Sequence, residues 1–465
     1  MPGLFHGLEI GKQALLTHQL SMMTIGHNMA NVNTPGYSRQ RVQVTTAMPI
    51  ELATYNLGSG ITAEGIEQIR DLFLTSQYRR ENKSLGEWTY KEKTLSQIET
   101  FFSEPSSEGL GSALDAFWDS WSSLAAGDAD SSTPRNQIIT NANTLITAFH
   151  SLDRQLSELI TSTDADIVSR MDQLNLLARQ VGNLNRLIVS EELGGQSAND
   201  LRDQRDYLID EMSQLVEVST REKANGAATV YVSGLAIVEN ADAFELGTRT
   251  ISEDNTIKHQ VVWKNSNTTI TLYGGELRGL LDIRDRVAPG YRERLDDMAA
   301  TLINQVNALH QQGIDLYGNT GSNFFDSLYR TAASIRLDPT VENDSNRIAV
   351  SLSGEVGDNA NALAIHDLRY QLLMASGSST IAEYYSSTVG GIGVDTQEAK
   401  TFKGNYEVLI QQIKNSRESI QGVSLDEEMA QLTKMQHAYN AAARVITVMD
   451  EALGTVIQGM GVVGR

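Results

Sequence analysis

The sequence predicts a mainly α fold with an inserted β domain: paired N- and C-terminal coiled-coil helices, a long-helix bundle body, and a small β-rich outer domain. Three observations carry this. Apolar residues recur in heptads at both ends of the chain, helical periodicity dominates residues 66–216, and β-branched residues crowd into residues 219–273.

The first element is a helix. Leu8, Leu15, Met22 and Met29 recur every seven residues, and Leu4, Gly11, His18, Ile25 and Val32 form the second seam. Glu9 and Lys12 are the charged residues of positions 1–35. An ordinary surface helix carries a charged back face, so this one is expected to be covered on more than one side. It stops at "NMANVNTPGYSRQRV", residues 28–42. Asn31 and Asn33 tolerate the left-handed conformation that ends helices. Thr34 precedes a proline, Pro35-Gly36 fits the centre of a type II turn, and "YSRQRVQV" alternates toward a strand. Such a corner fixes the angle between a terminal helix and the body; its residues are Asn28, Asn31, Asn33, Thr34, Pro35, Gly36, Tyr37, Arg39 and Arg41.

Residues 66–103 read as the next helix, ended by the "SEPSSEGLG" loop with Pro105 and Gly109. A short helix from Leu110 to Leu124 carries Leu114, Phe117, Trp118 and Trp121 at core spacing. Helical periodicity resumes from Gln137 to about Ser190 and again over 198–216. "ATVYVSGLAIVEN" and "HQVVWKNSNTTITLY" then read as strands. Helices are expected at 276–311, 359–375 and 395–420. The last helix starts at "SLDEEMAQL", with Ser424 and Glu427 spaced as a capping box. Along it Leu425, Leu432, Tyr439, Ile446, Leu453 and Met460 recur every seven, with Met435, Ala442, Met449 and Val456 three further on. The two terminal helices are expected to need each other and neighbouring subunits. An intramolecular hairpin of the two ends is the plainer reading of the same pattern. The expected domains are 1–35 with 425–465 (terminal assembly), 36–218 with 274–424 (helical body with some β structure) and 219–273 (β-rich outer part).

Composition narrows the function. The 465 residues carry 37 basic and 58 acidic side chains, a net charge of −21, which disfavours nucleic acid as a partner. With no cysteine, disulfides and thiolate chemistry are excluded. No cleavable signal peptide and no membrane-length apolar run is read, so no membrane partner is expected. No cofactor or metal is expected either. The eight histidines form no His-x-x-x-His pair, and "GSG" (58–60) and "GGIG" (390–393) lack the context of a phosphate loop. The loop at Asp358 fails as a calcium loop, with Leu363 and Arg369 where glycine and glutamate belong. "NDLRDQRD", with Asp200, Asp203 and Asp206 beside Arg202 and Arg205, reads as a solvated helix face or as intersubunit ion pairs. A non-enzymatic role is expected.

"ALLTHQLSMMTIGHNMANVNTPGYSRQ" (14–40) and "LDEEMAQLTKMQHAYNAAARVITVMDEAL" (425–453) resemble the paired terminal signatures of the flagellar axial proteins: rod, hook and hook-associated subunits. "ANDLRDQRDYLIDEMSQLVEV" (198–218), "GGELRGLLDIRD" (274–285) and "GDNANALAIHDLR" (357–369) narrow the resemblance to the hook-associated subunits of the hook–filament junction. Residues 219–273 and 313–356 match loosely, and Met29 stands where the family more often has isoleucine. The resemblance implies a structural adaptor in the bacterial flagellum, outside the cell, exported by the flagellar type III pathway without cleavage. Its implied partners are the hook protein, the second junction protein (hook-associated protein 3), further copies of itself in a ring or helical layer, and an export chaperone gripping the C-terminal helix. The expected assembly residues are Leu8, Leu15, Met22, Ile25, Leu432, Tyr439, Ile446 and Leu453. A hook or rod subunit is the near alternative; a helical enzyme or sensor with coiled-coil ends is the distant one.

Overall fold

The computed structural model describes residues 3–52, 55–102, 109–127, 130–253, 256–355 and 357–460. Pro105 lies outside them, as do the side chains of Leu4 and Met460. The two ends form a stem. Helix α1 (Gly3–Ala30) runs antiparallel to the last helix, α11 (Leu425–Met460). Strands β1 (Gln40–Thr46) and β4 (Ile61–Gln68) pair antiparallel and lie against another face of α1; β2 (Ile50–Leu52) and β3 (Tyr55–Leu57) pair beyond them. The helix expected from residue 66 starts later, because residues 66–68 complete β4. Helix α2 (Leu72–Phe101) begins only after Asp71, whose carboxylate accepts from the Phe73 and Leu74 amides at 2.8 and 3.1 Å.

The body is organised along α4 (Ser132–Glu192), a 61-residue helix long enough to serve two cores. Its first half packs with α2, α3 (Leu110–Ala126), α7 (Ala288–His310), the short α8 (Pro339–Asn343), α9 (Ala360–Asp367) and the first half of α10 (Ile381–Gln421). Phe117 and Trp121 are fully buried there, with Trp121 5.4 Å from Phe324 ring to ring, so the aromatic spacing of α3 does serve the core. His310 is also enclosed: it bonds the Ser322 carbonyl and accepts from the Ala349 amide. Burial lowers its pKa to about 4.

The second half of α4 packs with α5 (Asn199–Leu215), α6 (Gly275–Asp282) and the β region. That region holds β5 (Val218–Glu222), β6 (Ala228–Val232), β7 (Leu235–Glu239) and β8 (Asp242–Ala243) in one sheet, in that order. Strands β9 (Leu246–Glu253), β10 (Thr256–Trp263) and β11 (Thr268–Thr269) form a second. The strands share their core with α4, α5 and α6. Two asparagines of α4 fasten them. Asn175 bonds both the N–H and the C=O of Leu246 at 2.9 Å. Asn185 accepts from the Ala228 amide and donates to the Ala228 and Asn240 carbonyls. Between them Gly182 lets the Ala241 carbonyl come within 2.7 Å of where a Cβ would stand.

Three helix expectations shift. The 276–311 helix is divided by a π segment, Ile283–Val287, just before Pro289. The 359–375 helix ends with a 3-10 turn at Leu368–Tyr370. Helix α10 starts at Ile381 rather than 395, because the glycines at 390–393 sit inside it instead of breaking it.

Replacing Asn185 by alanine orphans an amide and two carbonyls at a fully buried position. The expected loss is about 2–4 kcal/mol of unfolding free energy, read from urea midpoints; a loss under ~0.5 kcal/mol would mean that water replaces the pin.

Candidate functional site

The candidate site is the stem and the corner that ties it to the body. On α1 the residues toward α11 include Gly7 and Gly11. A Cβ on Gly7 would stand 2.8 Å from Met449 Cε, and one on Gly11 2.7 Å from Ile446 Cγ1. Glycine is therefore the residue that lets these helices approach so closely. Ile25 is buried, and Leu8, Leu15, Met22, Leu432, Tyr439, Ile446 and Leu453 are half-buried. The structure thus brings the eight expected assembly residues into one stem, on α1 and α11, where heptad spacing follows the covered face of α11. Apolar side chains of the stem also stay open to solvent. Phe5 (68% exposed), Leu16 and Met23 line α1, and Met429, Val445, Val448 and Ile457 are exposed on α11.

The corner is built around Asn28, which is 1% exposed. Its amide donates to the Gln40 carbonyl (2.9 Å) and to Glu428 Oε2 (3.0 Å). Its oxygen accepts from the Tyr37 hydroxyl (2.8 Å) and the Gln40 amide (3.0 Å). An asparagine side chain has two N–H donors and one oxygen with two lone pairs, and here each is used. One residue thus joins α1, the corner, β1 and α11. Arg39 adds Glu427 and Glu428 of α11 at 2.8 and 2.7 Å, and its amide donates to the Gln421 carbonyl at the end of α10. Glu427 serves Arg39 and closes no capping box on Ser424. Arg41 faces Glu67 directly across the β1–β4 ladder at 3.2 Å.

The turn has the expected chemistry at Pro35-Gly36. The Tyr37 amide bonds the Thr34 carbonyl, and Gly36 has φ +78°. A Cβ on Gly36 would stand 2.9 Å from Tyr207 of α5. The left-handed expectation for Asn31 and Asn33 is corrected: neither has a positive φ. Asn31 instead ends α1 with its side chain, which donates to the His27 carbonyl and accepts from the Thr34 hydroxyl. Asn33, Thr34, Pro35 and Gly36 are exposed.

"NDLRDQRD" needs the larger correction. Asp200 is exposed, but Asp203, Arg205 and Asp206 turn inward and the ion pairs of the run are made within the chain, so that it forms the seat of the corner. Asp203 (5% exposed) accepts from the Ser38 amide at 2.8 Å, and Asp200 takes Gln40 and His27. Arg205 is 1% exposed and donates to the Gly226 carbonyl at 2.6 Å. Asp206 holds Arg70 and Arg79, while Asp210 is shared by Arg79 (2.6 Å) and Arg417 (2.8 Å). The apolar residues flanking these charges, Ile209, Met212 and Leu215, bury that face and were the available signal. Burial raises the Asp203 carboxyl to about 6, opposed by its bonds to Ser38 and by Arg70. Burial, with Asp200, Asp203 and Glu428 nearby, also raises the Tyr37 hydroxyl and keeps it a donor.

Among the described residues no three His, Cys, Asp or Glu side chains are grouped to hold a metal ion, and no helix is long and apolar enough to cross a membrane. What the site offers is packing: two chain ends in one stem, set at a fixed angle on a helical body. A family model for the flagellar hook-associated protein FlgK helical domain matches residues 95–325, and one for the flagellar basal body rod FlgEFG protein C-terminal matches 416–459. Flagellar hook-associated protein 1 of Bacillus subtilis is 30% identical over the full length of both chains. Its Escherichia coli counterpart is 24% identical over 94% of this chain and 97% of its own. In fold, the chain is similar to the flagellar hook junction protein FlgK from Burkholderia pseudomallei: TM-score 0.67 and 16% identity, over 75% of this chain and all of that one. The chain belongs to the flagellar hook-associated protein 1 family, structural components of the bacterial flagellum.

Two outcomes test the corner. Asn28→Ala should cost about 2–4 kcal/mol locally and speed hydrogen exchange at the Gln40 amide more than tenfold; unchanged exchange would remove Asn28 as the hub. Asp203 supplies a pH test. Its folded pKa, about 6, lies above the ordinary carboxyl value of 3.8, so the native state binds the extra proton between those pH values. Stability from this group is present below pH 4 and lost as pH rises to about 6. The stability of Asp203→Asn relative to wild type should therefore rise by about 1–3 kcal/mol from pH 4 to pH 7. A flat difference would show that the carboxylate ionises there without penalty.

Proposed function

We propose that this chain is a structural adaptor that joins hook to filament. The observation that carries the reading is the set of apolar side chains left uncovered on the stem, with Phe5, Leu16 and Met23 along one face of α1 and Met429, Val448 and Ile457 exposed on α11. Apolar residues left open along two joined helices are covered when stems stand side by side around an axis. In this reading Leu8, Leu15, Met22, Ile25, Leu432, Tyr439, Ile446 and Leu453 are the assembly residues, because they order the stem that presents this surface. The corner from Asn28 to Arg41 sets the tilt of the body. Residues 1–35 and 425–465 act as the assembly unit, 36–218 and 274–424 as the body, and 219–273 as its outer part.

The partners in this reading are the hook protein on one side, the second junction protein (hook-associated protein 3) on the other, and further copies of the chain within the layer. Export is through the flagellar type III pathway without cleavage. A chaperone would hold α11 in a groove before assembly, when its apolar residues lack α1. The role is mechanical, and no reaction is assigned to it.

The test is electron microscopy of a deletion strain, with flagellin assayed in the medium. Hooks of normal length without filaments, and flagellin lost to the medium, are expected. Absent hooks would move the chain into the rod or hook, and working filaments would overturn the axial role for this chain.

A further inference from the structure

A cleft of about 430 Å³ opens between α2, α5 and the outer edge of β5. Its walls carry five cations, Arg70, Arg79, Arg80, Lys83 and Arg205, against three carboxylates, Asp206, Glu217 and Glu222. On a chain of net charge −21, that concavity has the opposite sign. The three carboxylates are already engaged. Asp206 takes Arg70 and Arg79, Glu217 takes Lys83, and Glu222 takes Arg202 and Arg205. Asp210, behind Arg79, is shared with Arg417. Arg80 is exposed and forms no ion pair among the described residues. The buried Nε donors of Arg70 and Arg205 have no acceptor among them either.

The strand adds donors of its own. Strand β5 is the edge of its sheet, with β6 on one side only. The Lys223 amide bonds the Ala227 carbonyl, which fixes the alternation of the ladder. By that alternation the main-chain groups of Thr220 and Glu222 turn away from β6, and both residues line the cleft. The Thr220 hydroxyl also faces the cleft, where Arg79 donates to it at 3.3 Å. A surplus guanidinium and an outward-turned strand amide lining one concavity, beside the Glu217-paired ammonium of Lys83, are a donor set for an oxyanion.

We propose that the α2–β5 cleft is an oxyanion receptor, filled in the assembled flagellum by a carboxylate side chain of an adjoining copy. The second half of this statement rests on the adaptor role proposed above; the first half does not. Copies of a strongly acidic chain repel one another, and a basic concavity on each gives one carboxylate of its neighbour a counter-charge. Inorganic phosphate shares this chemistry, so the test separates the two sources.

The full-length, 15N-labelled chain is titrated at constant ionic strength with sodium glutarate and, separately, with inorganic phosphate, and the Thr220 amide and arginine Nε–H signals are followed. Saturable shifts with glutarate in the millimolar range are expected. They should weaken at least fivefold in Arg80→Gln/Lys83→Gln, with its melting temperature unchanged. Linear drift with either anion, or identical shifts in the double variant, would overturn the receptor. Saturation by phosphate but not by glutarate would overturn the carboxylate source. The same double variant is then expressed in the deletion strain. Filaments that detach under shear more readily than wild type support the neighbour's carboxylate. Filaments of wild-type strength, with the glutarate site lost, overturn the intersubunit source and leave the adaptor role standing.

Discussion

The geometry of the molecule depends on one buried amide. Asn28 is the place where the last turn of α1, the Pro35-Gly36 corner, β1 and the first turn of α11 are held at fixed distances. An alanine there would leave the Gln40 amide and carbonyl and the Tyr37 hydroxyl unpaired in a place closed to water. Each loss carries a desolvation cost larger than the net value of the bond itself. The hub is therefore better described as a constraint than as a source of stability. It removes alternative angles between stem and body, because any other angle strands several buried polar groups at once.

The same constraint explains how segments 400 residues apart form a helix pair. Bringing Asn28 and Glu428 together as chain ends alone would carry the closure entropy of the whole loop. The body has already met most of that cost. α10 packs along α2, and its last carbonyl, at Gln421, receives the Arg39 amide. Chain leaving the body toward α11 thus begins beside the corner. What remains for the stem is a seam of half-buried residues, closed tightly where Gly7 and Gly11 admit Met449 and Ile446. A stem completed in this way still leaves Phe5, Leu16 and Met23 of α1 open to solvent.

Much of this was legible in the sequence, and the reasons differ by element. The heptads of α1 and α11 are long, so two terminal helices are legible from spacing; that they pair with each other was one of two readings the spacing allowed, and the structure pairs them. The Pro35-Gly36 turn follows from the two residues that each turn position demands. The start of α10 was obscured because the glycines at 390–393 outweighed a local signal, the Thr380-x-x-Glu383 capping box that the structure forms. Burial of Ile392, inside the glycine run, in the shared core keeps the helix packed there. The π segment at Ile283–Val287 and the strand β4 likewise depend on partners distant in sequence. The acidic run of α5 was misread for a related reason. A charge pattern does not state whether arginines from other helices will come to meet it.

That run supplies the link between corner and body. Asp200, Asp203, Asp206 and Asp210 fall at spacings of three, three and four, so they share one face of α5. The first two hold Gln40, His27 and Ser38 of the stem side; the last two hold Arg70, Arg79 and Arg417 of the body. Buried ion pairs of this kind contribute little net stability against an apolar alternative, since each charge loses its hydration. They do penalise a shifted register heavily, because a one-turn slip would leave charges unpaired in the interior. One rigid helix thus fixes the corner at one end and the α2–α10 pair at the other. Stem and body are thus joined through the buried polar contacts of α5 rather than by a chain connection alone.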